Sequence, residues 1–345
     1  MNYLRLSLVG FGVVGQSFAA LLAKKRDLLR RQYDLDVELV SVASARHGFI
    51  YRESGLSIPT LLELAASHHP LREHPGITHW PGTLEGSQAT TADVLVEVTP
   101  TNLRDAEPAL SHIRAALSRG MHVITANKGP IALAAPELLA LAQQHHALLG
   151  VEATVMAGTP VISTIREGLA GATIRAVRGI LNCTTNYILS AMTVGRDYQD
   201  VLTEAQTLGY AESDPTADAE GYDAVAKTLI LAALAFGESL RVEQVQRQGI
   251  TNVTKEQVIA AAERGQRVRL IASLRRDAAQ GTLEASVAPT ELSLDDPLAR
   301  VDGVLNAITI ETDTLPAVTI IGPGAGGVQT AQGLLSDLIA ITRSV

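Results

Sequence analysis

The densest group of residues that could do chemistry is an acidic loop, residues 209–223, with Lys227 just beyond it. The loop reads Gly-Tyr-Ala-Glu-Ser-Asp-Pro-Thr-Ala-Asp-Ala-Glu-Gly-Tyr-Asp and runs into an otherwise apolar helix, predicted over 222–236. Asp223 and Lys227 are four residues apart, on one face of that helix. A charged pair on so apolar a helix is costly unless it is satisfied, so its presence favours a functional pair. A loop that only caps the helix or faces solvent is the alternative.

A second lysine lies in the segment Thr-Ala-Asn-Lys-Gly-Pro at residues 125–130. The segment follows a strand predicted over 122–126, so Lys128 is expected at the carboxyl end of a strand, beside a ligand crevice. The Gly-Pro that follows indicates that a helix does not continue through this lysine. A lysine on the open surface is the alternative.

The amino-terminal segment has the pattern of a dinucleotide-binding loop. Residues 10–15 read Gly-Phe-Gly-Val-Val-Gly, after a strand predicted over 4–9 and before a helix over 17–30 and a strand over 37–43. The first glycine permits a tight turn, the second lets the backbone approach a pyrophosphate, and the third lets helix and strand pack closely. The helix N-terminus offers N–H groups to the phosphates. We predict cofactor contacts for all six residues: Gly10, Phe11, Gly12, Val13, Val14 and Gly15.

The residues after the second strand indicate which dinucleotide is bound. An acidic residue there would favour NAD, but the strand runs into Ser-Ala-Arg-His at 44–47, without a carboxylate. Arg46 is suited to the 2′-phosphate of NADP, so the sequence favours NADP and leaves NAD open. Thr99 and Asn102 follow a strand predicted over 94–98 and are candidates for ribose or nicotinamide contacts. Capping of the next helix is the alternative role for them.

These residues need a scaffold that brings strand ends together, and the order of the predicted elements supplies one. Strands and helices alternate over residues 1–150, which predicts a Rossmann-type, doubly wound, mostly parallel α/β domain. Residues 151–316 predict an α+β second domain, and 317–345 are expected to pack back on the first. The segment 50–86 is expected to form a helix and loops at an edge. The remaining predicted strands cover 148–153, 175–181, 267–274, 283–290, 307–312 and 317–321, and the remaining helices cover 103–119, 134–146, 160–169, 186–193 and 330–341.

The composition excludes several classes of function. Of the 345 residues, 46% are hydrophobic and 19% charged, which indicates a folded protein rather than a disordered one. A net charge of −8 with only 3% aromatic residues disfavours a nucleic-acid binder. No apolar stretch is long enough to span a bilayer. The single cysteine, Cys183, fits a reducing compartment, and we expect a cytoplasmic protein.

Taken together, these segments resemble homoserine dehydrogenases over nearly the whole chain. The matching segments are 10–15, Thr-Ala-Asn-Lys at 125–128, Glu-Ala-Thr-Val-Met-Ala-Gly-Thr-Pro at 152–160, Gly-Ile-Leu-Asn-Cys-Thr-Thr-Asn-Tyr-Ile-Leu at 179–189, and 209–223 with Lys227. The resemblance implies reversible, NAD(P)-dependent conversion of L-homoserine to L-aspartate 4-semialdehyde, in threonine, methionine and isoleucine biosynthesis. It also implies a homodimer formed through the second domain.

The resemblance implies roles for particular residues. Lys227 and Lys128 would be the catalytic-site lysines, with Asp223 and Asp218 binding substrate or holding Lys227. Glu212 would receive the substrate's ammonium, and Tyr210 would lie in the substrate site. The segment 152–159 resembles the family's monovalent-cation site, for sodium or potassium, and the run 322–327 its second cofactor-side loop, which includes Gly322. The cation ligands would be Glu152 and the carbonyls of Val155, Ala157 and Thr159.

The chain departs from the family at one position in these segments, because Cys183 stands where the family usually has glycine. A threonine-sensing regulatory domain of the ACT type is not expected after residue 345. Two other functions remain as alternatives. One is a semialdehyde dehydrogenase that uses a thiol nucleophile, for which Cys183 is the only candidate. The other is an NAD(P)-binding sensor that turns over no substrate.

Overall fold

The computed structural model describes residues 2–277, 279 and 281–344, which divide into two compact units. The first contains residues 1–158 and 326–345, and the second contains 159–325. Each unit is built on one sheet, which confirms the predicted α/β class. None of the helices in the described part of the chain combines the length and the apolar character needed to cross a lipid bilayer.

The first unit is a seven-stranded sheet with helices around it. Its strands are β1 (Asn2–Val9), β2 (Leu35–Ser44), β3 (Gly48–Tyr51), β4 (Thr78–Trp80), β5 (Val94–Glu97), β6 (His122–Thr125) and β7 (Leu149–Gly150). Its helices up to residue 158 are α1 (Val13–Tyr33), α2 (Ile58–Ala66), α3 (Thr83–Ala89), α4 (Ala109–Leu117) and α5 (Lys128–Gln144). The strand order is β4-β3-β2-β1-β5-β6-β7, and the five strands from β2 to β7 run parallel. From β1 to β4 the strands are added on one side of β1, and from β5 to β7 they are added on its other side. The strand order therefore changes direction between β1 and β5, and doubly wound folds bind ligands at this position.

Two helices start six residues away from their predicted starts. The helix predicted from residue 103 begins at Ala109, because side chains of the preceding turn bind its backbone: Asn102 Oδ1 accepts from the Arg104 N–H at 2.9 Å, and Asp105 Oδ1 from the Glu107 N–H at 3.1 Å. The helix predicted from residue 134 corresponds to the second part of α5, which begins at Lys128 and is kinked at Ala134, where φ is −140°. The prediction that Gly-Pro prevents a helix there was wrong, since the first turn of a helix needs no N–H from proline.

The edge of the first sheet is also more regular than predicted. The segment 50–86 contributes β3 and β4, which extend the sheet with antiparallel pairing, in addition to α2 and α3. Conversely, the strand predicted over 148–153 is limited to β7, and a 3₁₀ turn follows at Glu152–Thr154.

The second unit contains a six-stranded, mostly antiparallel sheet in the order β13-β12-β8-β10-β11-β9. Its strands are β8 (Ile174–Ile180), β9 (Gln246–Arg247), β10 (Gln266–Arg276), β11 (Leu283–Ser293), β12 (Leu305–Thr312) and β13 (Val318–Pro323). Its α-helices are α6 (Cys183–Thr193), α7 (Tyr198–Thr207), α8 (Thr216–Ala219), α9 (Tyr222–Phe236) and α10 (Lys255–Glu263). The bounds of α9 are those predicted, whereas part of the predicted helix at 160–169 is a π-helix, Thr164–Gly168.

The last helix, α11 (Gly327–Ser344), belongs to the first unit and runs parallel to α1. At its start, a Cβ on Gly327 would lie 2.7 Å from Ser17 Oγ and 2.9 Å from a methyl group of Val13. Near its end, the Arg343 guanidinium stands 5.9 Å from the centre of the Tyr33 ring. The N-termini of α1 and α11 therefore lie side by side.

Candidate functional site

Lys227 is buried on α9, with 5% of its surface exposed. Its ammonium lies 3.0 Å from Asp223 Oδ2 and donates to the backbone carbonyl of Leu181. The helix begins at this point because Gly221 adopts a left-handed φ of +81°, which turns the chain from the acidic loop into the helix. One helical turn then places Asp223 and Lys227 on the same face, so the predicted pair forms.

Two side chains that the sequence analysis did not single out hold the carboxylates. Asn182 caps the start of α6, and its amide nitrogen donates to Asp218 at 2.7 Å and to Asp223 at 3.0 Å. The Thr184 hydroxyl lies 2.7 Å from Asp218 Oδ2 and 2.9 Å from the Tyr210 carbonyl oxygen, so it donates to one of them at a time. The sequence signal that could have identified both residues was their position in the segment 179–189, one of the segments that carry the family resemblance.

The surroundings of this cluster raise the pKa values of two groups. Burial raises the pKa of Asp218, and the negative charge of Asp223 raises it further. Burial also raises the pKa of the half-buried Cys183 thiol, although the Lys227 ammonium opposes the shift. The cluster therefore contains a buried lysine, two carboxyl groups and a thiol that favours its protonated form.

The other two predicted substrate residues lie at the surface of the acidic loop. Glu212 is exposed, and its backbone carbonyl accepts a 3.1 Å hydrogen bond from the Gln206 side chain. The Tyr210 ring is exposed and packs edge-on against Tyr187, with 5.4 Å between ring centres. Tyr210 is thus linked to the cluster through its carbonyl and Thr184.

The glycine loop of the first unit has the geometry that its spacing predicts. Gly10 has a φ of +105°, and a Cβ on it would lie 2.6 Å from the Val98 carbonyl. A Cβ on Gly15 would collide with the Gly10 carbonyl, so helix and loop could not approach as they do. A Cβ on Gly12 would meet nothing within 4 Å, so the space above this backbone is open.

The other loop residues differ in exposure. Phe11 is buried, Val14 is half-buried, and Val13 is 75% exposed at the first position of α1. The neighbouring N-terminus of α11 adds a second set of N–H groups and a second positive helix end beside the loop. A backbone that is open above Gly12 and flanked by two helix N-termini fits a pyrophosphate.

Three further predicted residues lie at the ends of β2, β5 and β6. Arg46 is exposed, in the tight turn between β2 and β3. Thr99 follows β5, and its hydroxyl and carbonyl oxygens accept from the Asn127 amide at 3.2 and 3.0 Å. Asn127 caps α5 by accepting from the Gly129 N–H at 3.1 Å, and Lys128 is half-buried in the first turn.

The predicted cation ligands lie around residue 158, where the two units divide. Glu152, Val155 and Ala157 are buried in the first unit, and Ala157 has a left-handed φ of +50°. Thr159 belongs to the second unit, where its hydroxyl donates to the Pro323 carbonyl at 2.9 Å and its methyl group is next to Gly322. Among the described residues, no three His, Cys, Asp or Glu side chains form a metal-binding group.

Comparisons with known proteins cover both units. A family model described as "Homoserine dehydrogenase, NAD binding domain" matches residues 10–152, and one described as "Homoserine dehydrogenase" matches residues 160–339. The first match covers β2 to β7 with the glycine loop, and the second covers β8 to β13 with the cluster around Lys227.

Full-length relatives agree with these matches. The NAD(+)-dependent homoserine dehydrogenase of Pseudomonas canavaninivorans is 40% identical, over 100% of this chain and 97% of the relative. The homoserine dehydrogenase of Methanocaldococcus jannaschii is 38% identical, over 98% of both chains. The structure of a hyperthermophilic archaeal homoserine dehydrogenase in complex with NADPH is similar with a TM-score of 0.85 and 32% identity, over 100% of this chain and 99% of that one. The chain therefore belongs to the homoserine dehydrogenase family of NAD(P)-dependent oxidoreductases.

Proposed function

We propose that the chain interconverts L-homoserine and L-aspartate 4-semialdehyde with NAD(P), and that Lys227 serves the substrate oxygen. The observation that supports this most directly is the buried Lys227 with its two fixed partners. An ammonium has three N–H donors. Within the described residues, Asp223 and the Leu181 carbonyl engage two of them, which leaves one for a substrate oxygen.

In the reducing direction, bound NAD(P)H supplies the hydride that the aldehyde carbon accepts. The aldehyde oxygen gains negative charge as this happens, and Lys227 stabilises that charge and donates the proton that completes the alcohol. In the oxidising direction, Lys227 accepts the hydroxyl proton. Asp223 orients the lysine, and Asp218 accepts hydrogen bonds from the substrate when Asn182 or Thr184 moves to another acceptor. Lys128 is proposed as the second catalytic-site lysine on the resemblance alone.

The ammonium of the substrate is assigned to Glu212, with Tyr210 lining the same site. Both residues are exposed on the acidic loop that leads to α9, so a substrate can reach them. Glu212 is an anion that would pair with the substrate's ammonium while Lys227 serves the oxygen at the other end. We also propose a homodimer, on the resemblance alone.

The cofactor site is proposed to consist of residues 10–15, Thr99, Lys128, Arg46 and Gly322. The open backbone at Gly12 and the paired N-termini of α1 and α11 support the pyrophosphate position. Arg46 favours NADP through its 2′-phosphate. Use of NAD stays open, since one relative is named as NAD(+)-dependent and one similar structure holds NADPH.

A monovalent cation, sodium before potassium, is proposed at Glu152 and the carbonyls of Val155, Ala157 and Thr159. The buried carboxylate of Glu152 is a hard oxygen ligand, and the left-handed backbone at Ala157 redirects the local carbonyls. Both features fit an oxygen-liganded cation. Omitting sodium and potassium from the assay tests this, and unchanged activity in a buffer without either ion would contradict it.

The function is tested by following reduction of NADP and NAD with L-homoserine, for the parent and for Lys227→Ala. We expect activity in the parent and a turnover about 10²–10⁴-fold lower in the variant, with little change in cofactor affinity. The matched control is Lys255→Ala, because Lys255 pairs with Asp197 at the surface. A parent without activity with either cofactor would refute the function, and a near-normal Lys227→Ala variant would refute the assignment.

A further inference from the structure

Glu97 is the last residue of β5 and has none of its surface exposed. It lies in the middle of the first sheet, opposite Val9 of β1 on one side and Thr125 of β6 on the other. Burying a carboxylate is costly unless hydrogen bonds compensate for lost hydration. The hydrogen bonds of Glu97 therefore indicate which part of the fold this buried carboxylate stabilises.

One oxygen of this carboxylate holds the turn that follows β5. Glu97 Oε1 accepts from the Thr99 N–H at 3.1 Å and from the Thr99 hydroxyl. Thr99 in turn accepts from the Asn127 amide through its hydroxyl and carbonyl oxygens, at 3.2 and 3.0 Å. Asn127 caps α5, whose first residue is Lys128. The carboxylate is thus linked through two residues to the start of α5.

The same turn contacts the glycine loop. The Val98 N–H donates to the Val9 carbonyl at 2.8 Å, directly before Gly10. The loop also approaches this turn closely, since a Cβ on Gly10 would lie 2.6 Å from the Val98 carbonyl and 2.9 Å from the Thr99 nitrogen. Three elements at the carboxyl edge of the sheet, the glycine loop, the turn at 98–100 and the start of α5, therefore depend on the position of Thr99.

We propose that ionised Glu97 is a positioning residue for the dinucleotide, because it holds Thr99 and Asn127 in the arrangement that the cofactor binds. The proposal rests on the proposed function in so far as the ligand is NAD(P). Glu97 is shielded from the cofactor itself, so it acts through Thr99, Asn127 and the glycine loop. A protonated Glu97 would be a weaker acceptor for the two Thr99 donors, and the arrangement would loosen.

The protonation state of Glu97 can change in an accessible pH range. Burial raises its pKa to about 6, although the hydrogen bonds from Thr99 oppose the shift. Its other oxygen, Oε2, is buried and has no hydrogen-bond partner among the described residues, so it can take up a proton. The charged and titratable side chains on β1, β6, α4 and the start of α5 are Tyr3, Arg5, His122, His112, Arg114 and Lys128.

His112 needs a control, because it is a second titratable group buried in this unit, on α4, and that burial lowers its pKa. The 2′-phosphate of NADPH also titrates near pH 6. The binding of NADPH and the binding of NADH are therefore measured separately, by cofactor fluorescence, over about pH 5.5–8.5. The proteins compared are the parent, Glu97→Gln and His112→Gln.

We expect the parent to lose affinity for both cofactors below about pH 6. Glu97→Gln should bind about tenfold more weakly at pH 8 and should lack this loss at low pH, because a charge-assisted acceptor is replaced by a neutral one. His112→Gln should follow the parent. A Glu97→Gln variant with parental affinity and the parental pH profile would overturn the proposal, and so would loss of the low-pH change in His112→Gln alone.

A second variant and a comparison of binding with turnover complete the test. Should Glu97→Gln fail to fold, Thr99→Val removes one of the two donors to the same carboxylate, and unchanged cofactor affinity in that variant would also overturn the proposal. Cofactor binding requires no turnover. A parent that binds NADPH with the expected pH profile but does not oxidise homoserine would refute the proposed function and leave the role of Glu97 supported.

Discussion

Asp218 and Asp223 share one donor, the side-chain amide nitrogen of Asn182, at 2.7 and 3.0 Å. The two carboxylates come from different helices, α8 and α9, and Asp223 also holds Lys227. Asn182 therefore sets the distance between Asp218, which is proposed to contact the substrate, and Asp223, which orients Lys227. Without this donor, two negative charges would face each other in a half-buried site.

Replacing Asn182 by serine should separate its two roles. Serine can cap α6, as Asn182 does by accepting from the Thr185 N–H at 2.9 Å, but it is too short to reach both carboxylates. We expect kcat/KM for homoserine to fall about tenfold or more, since two hydrogen bonds to charged groups are lost. Steady-state kinetics and thermal unfolding, measured together, test this.

The control for capping alone is Thr254→Ala, which removes the cap of α10. It should lower stability by about 1 kcal/mol and leave turnover unchanged. Parental kcat/KM in Asn182→Ser would show that the shared donor is dispensable.

Asp218→Asn should change how stability depends on pH. The pKa of Asp218 is raised in the folded protein, so the folded state favours its protonated form. The free energy of unfolding is then highest below the unfolded pKa and decreases as the pH rises through the raised value. The amide of asparagine does not ionise in this range, so its stability does not decrease in this way. Relative to the parent, the variant should therefore gain stability between pH 4 and 8. Its KM for homoserine should increase.

Thermal unfolding across that range, with activity at pH 8, checks both parts. Asp295→Asn, at an exposed position, is a suitable comparison. A difference in melting temperature between variant and parent that is the same at pH 4 and pH 8 would contradict the prediction for Asp218.

Arg46→Ala should weaken NADP binding and leave NAD binding nearly unchanged. An arginine that pairs with a 2′-phosphate contributes about 1.5–3 kcal/mol, or roughly 10–100-fold in affinity. Separate titrations with NADPH and NADH measure the ratio, and Arg72→Ala, an exposed arginine of the same unit, is the matched control. An equal loss for both cofactors, or none for either, would remove the proposed role of Arg46.

Cys183→Ser should keep turnover within about threefold of the parent, as expected for a residue outside the chemistry. Burial raises the pKa of the thiol, so little thiolate is present at pH 8, and only the thiolate is a good nucleophile. Cys183→Gly, which introduces the usual family residue, should also be active. A loss of more than about 100-fold in the serine variant would instead favour a thiol-dependent semialdehyde dehydrogenase.

The sequence by itself determined the elements whose information is local. The glycine spacing at 10–15 predicted a βα unit, and the apolar pattern around Asp223 and Lys227 predicted α9 with its actual bounds. The reason is that strand and helix periodicity, glycine conformations and i,i+4 spacing depend on residues close together in the chain. The same local reasoning placed Lys128 at a strand end but missed that it begins a helix.

Only the tertiary structure decided which partners the chemical groups have. Asn182 meets Asp218 and Asp223 across 36 and 41 residues, and Glu97 reaches Asn127 through Thr99. The parallel contact of α1 with α11 joins the two ends of the chain. These contacts depend on sheet order and register, which burial of the whole core selects and no single segment encodes.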